Sequence, residues 1–320
     1  MTTTTTTARI DVANVAPAGV QTCAIDVIAP EVLPAGRRPV VAVCLPGGYS
    51  SRRYFDLDVP AALGGYSMAR HLAERGLVVV TVDPPGVGAS DVPDDPFTLT
   101  PDTLGDVAAA VTVAVLAGLT AGTLVPDLAP LADPLPLGIG HSAGALLTVY
   151  EQARHRPFAA LALLGFAGRG LLDFLDDDER ACADDPVATR ATLARLVAAR
   201  FGSARPPYPE QTTSIFSGGP EPEAVKEAVR ATRSPLLALL GLTSMIPGAS
   251  APELATIDVP VFLGVGDADI TGDPRAIPGH FPNATDITLF VLARSGHAHN
   301  IAATRTDLWD RLTTWVDGLV

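Results

Sequence analysis

Two patterns of hydrophobic and polar positions alternate along most of the chain. Short, almost continuous apolar runs, typical of strands buried on both faces of a parallel sheet, occur at 39–44, 77–82, 136–139, 159–164, 261–265 and 287–292. Segments with helical spacing or helix-start signals lie between or after them, at 68–75, from Thr100-Pro101 onward, at 143–150 and at 302–319. Alternation of this kind predicts an α/β fold with a mostly parallel, doubly wound sheet. Before it, residues up to about 28 predict an opening strand or hairpin, preceded by a polar, threonine-rich tail over the first seven residues.

The middle of the chain departs from this alternation. After the run at 159–164 no strand-like run occurs until about residue 259, and roughly ninety intervening residues show helical apolar spacing. We therefore predict a sheet core formed by 1–165 and 258–320, and a helical cap formed by 166–257. Ligands of open α/β sheets bind at the carboxyl ends of the strands, so an inserted cap would cover that edge. Apolar candidates for its underside are Phe174, Ile215, Phe216, Leu239, Leu240, Met245 and Ile246.

One pentapeptide, Gly140-His141-Ser142-Ala143-Gly144, lies between the run at 136–139 and the helical segment at 143–150. This order predicts a strand, a sharp turn and a helix, with Ser142 at the apex of the turn. Glycines two residues before and after the serine fit such a turn, because strand and helix approach closely there and a Cβ would clash. The pattern makes Ser142 a candidate nucleophile.

A serine hydroxyl needs a base to accept its proton, and the base needs an acid to orient it. Serines on such a turn are followed along the chain by the acid and then the histidine. Asp267 and Asp269 come directly after the run at 261–265, and His297 and His299 follow the run at 287–292. A shift of two residues cannot be resolved from spacing, so both aspartates and both histidines remain candidates.

From about Val40 to the C-terminus, apart from the middle insertion, the chain resembles the α/β-hydrolase superfamily. It is most similar to the esterase and lipase-like branch that carries a cap. The resemblance maps the nucleophile onto Ser142, the acid onto Asp269 and the histidine onto His297. It implies that His299→Ala would retain turnover.

The resemblance also implies an oxyanion hole made of backbone N–H groups. One donor would be Ala143, the residue after the nucleophile. The other would come from the loop after the run at 39–44, with Gly48 as the first candidate and Tyr49 as the second. The superfamily usually has His-Gly where this chain has Pro46-Gly47, which removes a bracing side chain and leaves the main-chain donors.

The function implied is hydrolysis of a carboxylic ester with a hydrophobic or bulky group, without metal or organic cofactor. The same constellation serves thioesterases, lactonases, amidases, C–C bond hydrolases and acyltransferases, so the fold alone does not choose among them. A haloalkane dehalogenase or epoxide hydrolase would carry aspartate in place of Ser142. A non-catalytic binding module on the same scaffold is the alternative from another class, although such modules typically lose the acid or the histidine.

Charge and composition limit the partners. The formal net charge of −13 argues against nucleic acid or an anionic membrane surface as a partner. The longest apolar run, 107–119, is shorter than the ~20 residues of a membrane span, so it predicts a buried helix. Three widely spaced cysteines and the lack of a leader-like segment predict a cytoplasmic protein without a disulfide framework. The partner expected is a small-molecule ester, and homo-oligomerisation is left open.

Overall fold

A computed structural model describes residues 2–209 and 221–320. Eight strands of this part of the chain form one sheet in the order β1-β2-β4-β3-β5-β6-β7-β8. They are β1 (Thr3–Asp11), β2 (Thr22–Pro30), β3 (Val40–Leu45), β4 (Val78–Val82), β5 (Leu135–His141), β6 (Ala160–Leu164), β7 (Val261–Gly266) and β8 (Ile287–Leu292). β2 is antiparallel to both of its neighbours, β1 and β4, and all other pairs are parallel. The predicted fold class is confirmed.

Helices cover both faces of the sheet. They are α1 (Met68–Ala73), α2 (Pro101–Ala121), α3 (Ala143–His155), α4 (Asp177–Arg180), α5 (Pro186–Phe201), α6 (Glu223–Arg230), α7 (Ala238–Met245), α8 (Ala251–Leu254) and α9 (Arg305–Asp317). Buried side chains of α2 and α3 pack on one face, and those of α1 and α9 pack on the other. The strands β3 to β7 are buried at every position except Pro136 in β5, which explains their nearly continuous apolar sequences.

The sheet order places a topological switch beside the predicted nucleophile. The chain passes from β3 to its neighbour β4 and then returns across β3 to β5 on the other side. The loops that leave the carboxyl ends of β3 and β5 therefore diverge, and a crevice forms between them. Ser142 follows β5 directly.

The threonine-rich start differs from the prediction. Thr3 to Thr7 were expected in a polar tail, but they form the first half of β1, which pairs with β2 from Thr3 opposite Pro30 to Asp11 opposite Thr22. β-Branched threonine suits a half-exposed strand, and β1 lies at the edge of the sheet. The low-complexity composition concealed this strand preference.

Helix α2 is longer than its apolar run suggested. The apolar run covers 107–119, and the helix spans 21 residues because it begins, as predicted, at the Thr100 cap with proline in its first turn. In the described part of the chain it is the one helix long and apolar enough to cross a membrane by length and composition. Half of its most apolar stretch is buried inside the fold, and core helices of soluble proteins meet the same criteria.

Between β6 and β7 the described residues form short helices, α4 to α8, and none of them joins the sheet. Leu239 and Ile246 pack in a cluster of this region's own residues, and Leu240 packs on the main core. Phe174 is 46% exposed. The candidates Ile215 and Phe216 lie outside the described residues.

Candidate active site

Ser142 lies at the sharp turn between β5 and α3. Its backbone has φ 53° and ψ −120°, a conformation that costs a non-glycine residue about 1–3 kcal/mol. The turn is held by the N–H of Ser142, which donates to the carbonyl of Leu164 in β6 at 2.8 Å. The strain presents the hydroxyl at the carboxyl edge of the sheet, and Ala143 begins α3 beside it.

The two flanking glycines are required by close backbone contacts. A Cβ at Gly140 would overlap the Cα of Ala145 in the first turn of α3. A Cβ at Gly144 would overlap the carbonyl oxygens of Leu45 and Pro46, where the chain leaves β3. The turn therefore packs directly against the loop that is predicted to supply the second oxyanion donor.

A continuous hydrogen-bonded chain joins the serine, one histidine and one aspartate. The Ser142 Oγ lies 2.8 Å from His297 Nε2, and His297 Nδ1 lies 2.7 Å from Asp269 Oδ1. The Asp269 side chain is fully buried and that of His297 is 7% exposed. Burial acts to raise the pKa of the Asp269 carboxyl, but hydrogen bonds from His297 and His299 and their charges outweigh it and hold the pKa well below its usual range. Asp269 is thus an ionised acceptor behind His297.

The alternative aspartate has a different surrounding. Asp267 accepts the backbone N–H groups of Arg294 and Ser295 at 2.8 and 3.0 Å, and these bonds lower the pKa of its carboxyl. It therefore fastens the start of the loop that carries His297. No bond joins Asp267 to either candidate histidine in the described structure.

The alternative histidine also contacts the acid, from the other side. His299 Nε2 lies 3.0 Å from Asp269 Oδ2, and the ring is 1% exposed. Burial lowers the pKa of His299, and its ring donates Nε2–H to the carboxylate. Asp269 therefore holds two histidines, of which His297 contacts Ser142.

Sequence reasoning gave no role to His141, although it precedes the serine. Its ring is buried, and burial, together with the charges of His297 and His299, keeps its pKa well below the usual value. The neutral ring donates its Nε2–H to the carbonyl of His297 at 2.8 Å, and it packs 4.8 Å from the ring of Tyr54. It joins the nucleophile turn to the histidine loop. Histidine is common in many environments, so the sequence held no signal for this contact.

The loop after β3 lies against the serine as the oxyanion prediction requires. A Cβ at Gly47 would lie 3.2 Å from the Cβ of Ser142. The N–H of Gly48 and that of Ala143, the first residue of α3, have no acceptor among the described residues. Both donors are therefore available to a bound oxygen, and Ala143 adds the positive end of a helix dipole.

Two hydrogen bonds connect this loop to the segment after α6. The Ser51 N–H donates to the Thr232 carbonyl at 2.7 Å, and the Ser234 N–H donates to the Tyr49 carbonyl at 3.0 Å. Between them Ser50 and Arg233 form an isolated antiparallel bridge. We call this pairing of 49–51 with 232–234 the strap.

A buried ion pair fixes the far end of the same loop. The Asp83 carboxylate, at the end of β4, accepts the Arg52 N–H at 2.6 Å and also pairs with the Arg52 guanidinium. Ser90 closes the 83–90 turn by donating to the Asp83 carbonyl. These bonds hold the 83–90 turn in place beside the loop after β3.

A model of the alpha/beta hydrolase family matches residues 42–306, which is more than half of the chain. The chain belongs to the alpha/beta hydrolase family. It is thus an enzyme of the α/β-hydrolase class, and the predicted superfamily is confirmed. No curated protein sequence matches it.

Solved structures similar to this hydrolase include enzymes of different specificity. An esterase from Thermogutta terrifontis, with malate bound, is 12% identical, with 98% of each chain covered and a TM-score of 0.60. An esterase from Exiguobacterium antarcticum is 17% identical, with 97% of this chain and 98% of that chain covered and a TM-score of 0.61. An epoxide hydrolase is 16% identical, with 99% and 100% covered and a TM-score of 0.59. At these identities the likeness shows the shared fold.

A cavity of about 350 Å³ opens onto the serine of this hydrolase. Its wall is formed by the strap and the loop before it, by the histidine loop and by α5 and α7. Side chains that face it include Tyr49, Tyr54, Leu171, Phe201, Tyr208, Leu236, Met245 and Ile270. The lining is mostly apolar, and of the predicted underside residues that the structure describes, Met245 reaches it.

The described residues contain no group of three histidine, cysteine, aspartate or glutamate side chains arranged to hold a metal ion. The three cysteines are buried, free thiols. Burial raises the pKa of Cys23 to about 12.

Proposed function

We propose that this hydrolase cleaves a carboxylic ester of a hydrophobic or bulky substrate through an acyl-enzyme on Ser142. The observation that carries the proposal is the chain of 2.8 and 2.7 Å contacts from Ser142 through His297 to Asp269. Each contact lies within the reach required for proton transfer.

Acylation begins with attack of the Ser142 oxygen on the ester carbonyl carbon, while the hydroxyl proton passes to His297 Nε2. The imidazolium formed is stabilised by Asp269, which is ionised and accepts from Nδ1. When the tetrahedral intermediate collapses, the ester C–O bond breaks and the leaving alkoxide takes the proton from Nε2.

Deacylation repeats these steps with water. Water adds to the acyl carbonyl as Nε2 takes its proton, the bond to the Ser142 oxygen breaks, and that oxygen recovers the proton as the acid leaves. In both halves the N–H groups of Gly48 and Ala143 would bind the oxyanion, and one such donor is worth about 3–4 kcal/mol in other enzymes.

The apolar lining of the cavity supports the hydrophobic part of the substrate. An enzyme that opens epoxides through a covalent intermediate on aspartate needs a carboxylate at this turn. This chain has the hydroxyl of Ser142 there, which favours ester hydrolysis over epoxide hydrolysis.

The test combines turnover with labelling. We expect p-nitrophenyl esters of increasing acyl length to be hydrolysed, and a fluorophosphonate probe to add one mass adduct on Ser142. Ser142→Ala and His297→Ala should each remove turnover while the protein stays folded, whereas the exposed His155→Ala should retain it. Folded wild-type protein without turnover or adduct would contradict the proposal, as would an adduct on another residue.

A further inference from the structure

Two arginines lie in the wall of the catalytic cavity, and one of them is neutralised within the fold. Arg200 Nη1 lies 2.5 Å from Glu179 Oε2, and Arg200 Nη2 donates to the Phe174 carbonyl at 3.0 Å. The Glu179 side chain is 1% exposed and also closes the capping box of α4. Arg200 therefore neutralises a buried carboxylate and contributes little net charge to the cavity.

Arg233 differs because no carboxylate of the described residues pairs with it. Its guanidinium lies 3.8 Å from the ring centroid of Tyr208, a cation–π contact. Tyr208 in turn packs edge-on against Tyr49, with ring centroids 5.4 Å apart. All three side chains face the cavity, so the stack presents to a bound molecule a positive group that no carboxylate of residues 2–209 or 221–320 neutralises.

The position of Arg233 is fixed relative to the predicted oxyanion hole. Its backbone bridges Ser50 in the strap, two residues after Gly48. Two residues span at most about 7 Å of chain. The backbone of Arg233 is therefore held close to the loop that carries Gly48, and Arg233 and Ser142 line the same, mostly apolar cavity.

The charge of the cavity is opposite to that of the whole protein. The chain carries a formal charge of −13, yet the described cavity wall has two arginines and no aspartate or glutamate. At physiological salt the surface carboxylates act over only about 8 Å, so the nearby guanidinium dominates inside the cavity. Arginine binds carboxylates in a bidentate geometry, and the tyrosine ring below it restricts its orientation.

We propose that the substrate is an ester that carries a carboxylate away from the scissile bond, and that Arg233 binds this carboxylate. The inference rests on the proposed ester hydrolase function and restricts the class of substrate. In such a substrate an apolar spacer fills the cavity between an ester group at Ser142 and a carboxylate at Arg233. Arg233 is then a specificity-determining residue of this site.

The experiment compares esters that differ only at the far end. Mono-p-nitrophenyl esters of dicarboxylic acids, from succinate to sebacate, are paired with p-nitrophenyl esters of monocarboxylic acids of equal length. The quantity measured is the ratio of kcat/KM for the anionic ester to that for its neutral partner. We expect a ratio above one at the best chain length, and about a fivefold fall in Arg233→Gln, which is the scale of a solvent-accessible ion pair.

Two further variants separate local binding from long-range charge. Arg233→Glu should invert the preference toward an ester with an ω-ammonium group. Arg230→Gln removes an equal charge three residues earlier, in α6 and outside the cavity wall, and should leave both rates and their ratio unchanged. Raised salt should lower the wild-type ratio and leave that of Arg233→Gln nearly constant.

The outcomes also separate the two proposals. A wild-type ratio of one or below at every length, an unchanged ratio in Arg233→Gln, or an equal fall in Arg230→Gln overturns the carboxylate inference and leaves ester hydrolysis standing. If the wild-type protein hydrolyses neither neutral nor anionic esters in a Ser142-dependent way, both proposals are overturned. Because the readout is a ratio within one protein sample, partial misfolding of a variant does not affect it.

Discussion

Removal of the His299 imidazole would test how the buried acid is held. The Asp269 carboxylate accepts from His297 at 2.7 Å on one oxygen and from His299 at 3.0 Å on the other. Its remaining contacts, from the N–H groups of Gly266 and Thr271, are both 3.4 Å long. In His299→Ala one oxygen of a buried, charged group therefore keeps only a weak donor, and the carboxylate gains freedom to turn away from His297.

The size of the effect follows from the bond that is lost. A hydrogen bond to a charged group contributes about 1.5–3 kcal/mol. For a protein of 320 residues that loss lowers Tm by roughly 2–5 °C. If about half of it is also felt in the transition state, kcat/KM falls about tenfold, since 1.36 kcal/mol is a factor of ten. Turnover is retained, in contrast to the loss of at least about a thousandfold expected for removal of the base itself.

The assay is kcat/KM on a p-nitrophenyl ester together with Tm for His299→Ala and His299→Gln. Glutamine keeps an N–H donor for the Asp269 carboxylate, so it should recover most of the lost rate. The control is His155→Ala, which removes an exposed histidine outside the site. Wild-type rate and Tm in His299→Ala would refute the reasoning, as would equal losses in the alanine and glutamine variants.

Three other perturbations test the choice of the acid, a buried carboxyl in α3 and the nucleophile turn. Asp269→Asn should lower kcat/KM by a factor of roughly 10³–10⁴, whereas Asp267→Asn, which disturbs only a loop, should lower it less than about tenfold. A larger loss of kcat/KM in Asp267→Asn than in Asp269→Asn would reverse the assignment of the acid. Burial raises the pKa of Glu151, in α3, to about 8. Between about pH 4.3 and pH 8 the folded state therefore keeps a proton on this carboxyl that the unfolded state has lost. The free energy of unfolding falls with rising pH across that window. Glu151→Gln should therefore gain stability over wild type by up to about 1.4 kcal/mol per pH unit across that window, measured by denaturant unfolding at pH 5, 6.5 and 8, and a difference independent of pH would contradict this. Gly144→Ala would push a methyl group into the carbonyl oxygen of Leu45 and should lower stability by about 1–3 kcal/mol along with activity, both seen as losses in Tm and ester turnover; a variant with wild-type values would show that the turn tolerates the group.

The elements of the sheet were predictable because their sequence patterns are local. Apolar runs and the glycine-flanked serine turn depend on residues that are neighbours along the chain, and the strands at 136–139 and 261–265 differ from the observed β5 and β7 by one or two residues at their ends. The first half of β1 was missed because its threonines look polar by composition while their branched side chains favour a strand.

Pairings between distant residues were not predictable in the same way. Spacing left two aspartates and two histidines open, and it gave no indication that Asp269 contacts both histidines or that His141 supports the loop of His297. The strap and the position of Arg233 depend on contacts between residues nearly two hundred positions apart along the chain. Such contacts come from the packing of the whole fold.

The strap has a consequence for the exchange of parts between related enzymes. A chimera that replaces 166–257 with the corresponding insertion of another hydrolase would also replace Thr232 and Ser234, the partners of the loop that carries Gly48. Such a graft would change the rate of the chemical step as well as the choice of substrate. Engineered exchanges should therefore keep 232–234 with the host, or transfer 47–51 together with the insertion as one unit.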